Sequence, residues 1–256
     1  MALGERADIR AAMREPDGPG AVAFDFTRTP TFEAALDGVT AVFLMRPPQM
    51  AKAEMFEPFL DAAVAAGVSR FVVLSVAGAD RIKMLPHHGL EQAVMARTDD
   101  WTMLRPSDFM QNLETEHART IREDNAVAVP AGEGRSAFVD VADVGAAAAA
   151  CLLEEGHAGA GYHLTGPDAL SFHDVAETLS DVLGRYIRYR PLSVARFIAE
   201  RLKADEPLPK VLVMSALYTA QRLGKTDTVT REVERLLGRK AGTLRDYAER
   251  EKAVWL

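Results

Sequence analysis

The sequence predicts an α/β fold, a doubly wound parallel sheet with a smaller, mainly helical C-terminal lobe. Three observations lead there. Short apolar runs suited to strands alternate with amphipathic helical runs through the first two-thirds of the 256 residues. From Ser193 to Leu256 the pattern turns almost wholly helical. Hydrophobic residues make up 48% and charged residues 26%, which suits a chain able to bury one sizeable core.

In chain order, ADIRAAMRE (7–15) reads as a strand, preceded by Leu3–Gly4 as the end of a helix and its glycine stop. AVAFDF (21–26) is strand-like, and TFEAALDG (31–38) is a short helix closed by Gly38. TAVFLM (40–45) is apolar on both faces, as buried parallel strands are. A helix over 51–66 sets Met55, Phe56, Phe59, Leu60, Ala63 and Val64 on one stripe and stops at Gly67. RFVVLSVAG (70–78), a helix over 87–97 and WTMLRP (101–106) continue the alternation, which implies right-handed crossovers and helices on both faces. Beyond Pro106, SDFMQNLETEHARTIRED reads as one long helix and AVAVPAGEGRSAFVD as two short strands around a Gly-rich turn. VADVGAAAAACLLEE is helical and YHLTG (162–166) is a strand. Ser171 with Asp174, and Thr243 with Asp246, have the spacing of a capping box. The expected division is a sheet domain over 1–150 and a substrate-binding lobe over 151–256, with segments near 126–139 and 160–190 interleaved between them.

A net charge of −7 argues against nucleic acid as a partner. No apolar stretch approaches a membrane span and no signal-peptide pattern occurs, so a cytoplasmic protein is expected. The single cysteine, Cys151, sits in an apolar helical run and reads as a buried structural thiol. No ligand cluster suggests a metal.

A doubly wound sheet binds ligands beyond the carboxyl ends of its strands. That rule singles out Arg14, Asp25–Phe26, Met45–Arg46–Pro47, Ser75–Val76 and Pro106–Ser107–Asp108. Arg14 stands where an arginine accommodates the extra phosphate of NADP, and Asp25 with Phe26 where adenine would lie. The same residues also read as solvated strand-end charges. His87 and Glu91 are four apart on one helix face, with His88 pointing to another. An imidazole near a nicotinamide can donate or relay a proton, while a histidine pair at a helix start also reads as polar capping. GHAGAG (156–161) and GEGR (132–135) do not qualify as phosphate loops, since neither follows a strand and opens a helix. No tyrosine among Tyr162, Tyr186, Tyr189, Tyr218 and Tyr247 has a lysine four residues on, which disfavours epimerase and dehydratase chemistry.

WTMLRPSDFMQN, GEGRSAFVDVADVGAAAAACL, YHLTGPDALSFHDVAETLSDVLG and VERLLGR together resemble the NmrA-like, atypical short-chain dehydrogenase/reductase family, over about Ala7 to Tyr247. The resemblance implies a Rossmann domain with a C-terminal substrate lobe and binding of NADP(H), with NAD(H) as the other option. It implies reduction of a small quinone-like or aromatic acceptor. In the alternative, it implies a non-catalytic NADP(H)-sensing regulatory protein. By position it places Arg14 at the adenosine phosphate and Asp25 and Phe26 at the adenine. Met45, Arg46, Ser75, Val76 and Pro106 flank the ribose and nicotinamide. His88 and His87 take the catalytic place, and Phe109 and Asn112 line a substrate cleft. A small-molecule acceptor and a homodimer are the expected partners. Family members open with a strand, a Gly-x-x-Gly-x-x-Gly turn and a helix, and this chain begins after that pattern. The expectation is therefore that about 25–30 residues precede Met1. Without them the sheet would carry a gap of about 5 Å and cofactor binding would be impaired.

Overall fold

The computed structural model describes residues 7–256, so the expected helix end at Leu3–Gly4 lies outside the described residues. The chain divides into two compact units: one runs to Pro106 and includes Val144–His163, the other comprises Ser107–Asp143 and Leu164–Leu256.

In the first unit, β1 (Ala11–Met13) and β2 (Ala21–Ala23) pair in parallel, Ala11 opposite Ala21. Arg10, just before β1, leaves the strand pattern and reaches the carbonyls of Ala34, Ala35 and Asp37 at 3.0, 3.2 and 2.8 Å. It thereby closes the C-terminus of α1 (Phe32–Leu36), where a cation meets the negative end of a helix. Next come β3 (Ala41–Met45), α2 (Glu57–Ala65), β4 (Arg70–Leu74), α3 (Pro86–Met95) and β5 (Trp101–Pro106). β3, β4 and β5 run parallel, with Ala41 opposite Arg70 and Phe71 opposite Trp101.

Two expectations change here. α2 begins at Glu57 rather than near residue 51, after a separate 3-10 turn at Ala53–Met55. Pro58, lacking an N–H, is tolerated only in a first turn and so sets the start. Of the expected stripe, Phe56, Phe59, Leu60 and Ala63 are buried, whereas Met55 and Val64 are exposed at its margins. β3 is not covered on both faces: Leu44 is buried, but Phe43 and Met45 are 38% and 56% exposed. β3 pairs with β4 on one edge, and β1 with β2 forms a separate two-stranded sheet. An apolar run records composition; what packs over each of its faces is a property of the tertiary fold.

The chain then enters the second unit with α4 (Asn112–Thr115), α5 (Ala118–Glu123), β6 (Ala126–Val129) and β7 (Arg135–Ser136). The single long helix expected here is broken at Glu116–His117, because the buried His117 turns inward to polar partners. α6 (Val141–Leu153) and β8 (Ala160–Leu164) lead back through the first unit, whose larger sheet has the order β3-β4-β5-β8. β8 begins two residues ahead of the YHLTG run. Cys151 on α6 is fully buried, as its apolar surroundings imply.

The rest belongs to the second unit: β9 (Leu170–Ser171), α7 (Phe172–Leu183), β10 (Arg188–Pro191), α8 (Val194–Lys203), α9 (Leu208–Arg222), α10 (Glu232–Leu237) and α11 (Leu244–Glu251). β6 pairs in parallel with β10, and β7 antiparallel with β9, so the two strands around the Gly-rich turn do not pair with each other. Both expected capping boxes form. Ser171 Oγ accepts from the Asp174 N–H at 3.3 Å while the Ser171 N–H donates to Asp174 Oδ2 at 2.8 Å. Thr243 and Asp246 repeat the exchange at 3.1 and 2.9 Å. No helix among the described residues is long and apolar enough to cross a membrane.

Candidate functional site

The carboxyl ends of β3, β4 and β5 and the start of α3 gather the polar residues of the first unit. Arg46 follows β3 directly. Its Nη1 donates to the carbonyls of Pro47, Pro48 and Met50 at 3.0, 3.2 and 2.9 Å, folding the two-proline turn onto itself. Its Nε lies 3.4 Å from His87 Nε2, across 41 residues of sequence. A guanidinium only donates, so His87 Nε2 accepts and the neutral ring carries its hydrogen on Nδ1. Nδ1 is buried and has no partner. Burial, reinforced by the Arg46 charge, pushes the His87 imidazolium down to about 4, so the ring is neutral near pH 7.

His88 is oriented the other way. Its Nδ1 lies 2.7 Å from the Ala79 carbonyl oxygen, which can only accept, so Nδ1 carries the hydrogen and Nε2 is the available nitrogen. The two adjacent histidines thus present different atoms: His87 an unpaired N–H, His88 an Nε2 lone pair.

Beneath them lies a closed network. Ser75 Oγ donates to Glu91 Oε1 at 2.5 Å, and Arg105 clamps the same carboxylate through Nε at 2.9 Å and Nη2 at 2.7 Å. Glu91 is 1% exposed. The Ser75 hydroxyl is therefore committed inside the protein, while Val76 and Pro106 continue the strand ends, Pro106 accepting from the Ala77 N–H at 3.0 Å. Met45 stays open at the end of β3.

Arg14, Asp25 and Phe26 form a second group in the same unit. Arg14 Nε lies 3.5 Å from Asp25 Oδ2, with the arginine side chain 68% exposed. The Thr27 hydroxyl and N–H hold Asp25 Oδ1 at 2.7 and 2.8 Å and lower its carboxyl, with a smaller contribution from Arg14. Phe26 packs edge-on against Phe56 and Phe59 at 5.2 Å and remains half-buried. No hydrogen bond or ion pair among the described residues joins this group to the Arg46–His87 pair. Phe109 and Asn112 belong to the second unit, where Phe109 bridges to Val139 and the Asn112 N–H donates to the Phe109 carbonyl at 3.1 Å.

Sequence reasoning did not single out Arg105. Its signal was an arginine inside the otherwise apolar run WTMLRP. Tyr218 entered only as a tyrosine without a lysine, and nothing near it in sequence marks its partners. Among the described residues no group of three or more histidine, cysteine, aspartate or glutamate side chains could hold a metal. A dinucleotide fits the described residues at its two ends: the open Arg14 guanidinium suits a phosphate, and the orphaned His87 Nδ1–H suits a carboxamide oxygen. No glycine-rich turn between a strand and a helix occurs among the described residues.

The family model for the NmrA-like family matches residues 11–251. The chain is 32% identical to an NAD(P)H azoreductase of Xenophilus azovorans, over 93% of this chain and 84% of the relative. It is 31% identical to festuclavine synthase I of Penicillium roqueforti, over 86% of this chain and 78% of that one. In fold it is similar to the NADPH-dependent quinone oxidoreductase QOR2 of Escherichia coli in complex with NADPH. That likeness has a TM-score of 0.85 at 24% identity and covers 95% of this chain and 90% of that one. The Citrobacter triphenylmethane reductase complexed with NADP(H) matches with a TM-score of 0.80 at 23% identity, covering 90% and 83%. The fold is Rossmann-like, and the chain belongs to the NmrA-like family.

Proposed function

We propose that this chain is an NADPH-dependent reductase of a small quinone-like or aromatic acceptor. The observation that carries the proposal is the opposed setting of His87 and His88 at the strand ends, one an unpaired donor and the other an accepting nitrogen. The azoreductase relative, and the solved quinone oxidoreductase and triphenylmethane reductase, support the same reading.

In this reading the exposed Arg14, in long contact with Asp25, would hold the adenosine phosphate and so select NADP over NAD. Asp25 and Phe26 border the adenine. Met45, Arg46 and Pro106, with the backbone of Ser75 and Val76, border the ribose and nicotinamide, and His87 Nδ1–H fixes the carboxamide. The bound cofactor supplies the hydride. His88 Nε2 would take a proton from solvent and pass it to the reduced acceptor, its ring held by the Ala79 carbonyl.

NADPH consumption against a panel of quinones and azo dyes tests this. His88→Ala is expected to lower kcat about 10²–10⁴-fold, the range of a lost general acid, with partial rescue by added imidazole. His87→Gln is expected to raise the KM for NADPH with a smaller change in kcat. Unchanged turnover in His88→Ala removes His88 from the mechanism. NADPH binding without turnover of any acceptor replaces the reductase with a dinucleotide sensor.

A further inference from the structure

Inside the second unit a chain of hydrogen bonds ends on a donor with nothing to donate to. His117, 2% exposed, is bonded at both ring nitrogens: Arg201 Nη2 lies 3.4 Å from Nδ1, and the Tyr218 hydroxyl 2.8 Å from Nε2. Arg201 cannot accept, so Nδ1 does, and the ring hydrogen sits on Nε2. Nε2–H donates to the Tyr218 oxygen, and the tyrosine's own hydrogen must point elsewhere. Among the described residues no acceptor meets it.

The direction of this chain is fixed from its far end. Arg201 is held by Glu206 Oε1 at 2.6 Å and the Glu116 carbonyl at 3.1 Å. Lys210 ties the Glu116 and Glu206 carboxylates together at 2.7 and 3.3 Å. Burial pushes His117 down to about 3, helped by the Arg201 and Lys210 charges, so the ring stays neutral and cannot reverse its polarity by protonation. Burial also raises the Tyr218 hydroxyl, and the charge of Asp108 is felt there too. Asp108, at the end of the stretch after β5, accepts from Ser136 Oγ at 2.5 Å, and its own burial raises its carboxyl. Tyr218 and Asp108 keep part of each side chain at the surface, while burial of their ionisable ends disfavours both charged forms.

We propose that the Tyr218 hydroxyl, oriented by His117 and Arg201, binds a carbonyl or phenolate oxygen of a small aromatic ligand in the second unit. The ligand must present an acceptor atom, because the tyrosine's accepting role is already taken by His117. This rests on the reductase reading only for the ligand class; Tyr218 is the binding group, and His117 and Arg201 are positioning residues.

The test is equilibrium binding of para-nitrophenol, with naphthoquinone as competitor, to the full chain without NADPH. The readout is the phenolate absorbance band, so it does not depend on turnover. Saturable binding is expected for the wild type. A loss of about tenfold is expected in Tyr218→Phe, the worth of one hydrogen bond. The phenyl ring keeps the edge contacts to Phe197 and Phe172 at 5.5 and 5.9 Å, and thermal melting checks the fold. Arg201→Met frees the His117 ring to take either tautomer and is expected to weaken binding less than Tyr218→Phe. Tyr186→Phe, at an exposed tyrosine, should change nothing. Binding within twofold of wild type in a folded Tyr218→Phe, or no saturable signal in the wild type, overturns the assignment. Loss of turnover with binding intact would count against the reductase reading alone.

Discussion

Two buried polar clusters, one in each unit, are built from similar groups and end differently. In the first, Glu91 has both oxygens occupied by Arg105 and one also by Ser75, and the charges cancel. The space around it is equally full: a Cβ on Gly161 would lie 2.5 Å from Arg105 Nη1. In the second, Arg201, His117 and Tyr218 pass donor character along a line that stops at a free hydroxyl hydrogen. A network with every valence met can only hold the fold, whereas one with a valence left over is poised to hold something else.

The largest test of that contrast is Glu91→Leu, which strands the Arg105 guanidinium in the interior. Urea unfolding should show a loss of about 3–5 kcal/mol. The double variant Glu91→Leu/Arg105→Met should recover most of it, since the cost is the orphaned charge rather than the lost pair. Equal losses in both would mean that the network is not closed as described.

The second cluster should show itself through pH. The His117 pKa of about 3 in the folded chain lies below its ordinary 6.5. As pH falls below 6.5 the unfolded chain takes up the proton first, so stability present above 6.5 drains away towards pH 3. Within that window the slope for this one ring is about 1.4 kcal/mol per pH unit. The difference between wild type and His117→Gln in urea unfolding isolates it from the carboxylates, and parallel pH profiles would refute it.

The smallest effect belongs to a pair of the same charges left in water. Arg245 Nη2 and Asp181 Oδ2 are 2.6 Å apart with both side chains more than half exposed. Asp181→Ala should cost less than about 1 kcal/mol, measured the same way. A larger loss would mean that burial is not what separates the Glu91 pair from an ordinary surface pair.

What could be read from the sequence was local. The capping boxes at Ser171 and Thr243 need only residues three apart, and both form. The strand and helix alternation around β3, β4 and β5 likewise rests on short-range pattern. What could not be read depends on distant partners. His117 breaks a helix-like run because Tyr218, 101 residues on, meets it. The open face of β3, where Phe43 and Met45 are exposed, depends on what packs over the sheet there. At the candidate site, the rule about strand ends selected Arg46 and Ser75, and the spacing of His87 and Glu91 selected one helix face. The bonds that define each of them, to His87, Glu91, Arg105 and the Ala79 carbonyl, cross from one element to another and leave no trace in spacing.

Cys151 gives the molecule a built-in gauge. Its thiol is fully buried and pushed up to about 12, so in the closed chain it is neither reachable nor nucleophilic. As the sole cysteine, it can be labelled only in molecules whose α6 has opened. The rate at which an aromatic disulfide reagent is consumed therefore counts those openings, and a ligand that tightens the first unit would register as a slower colour change.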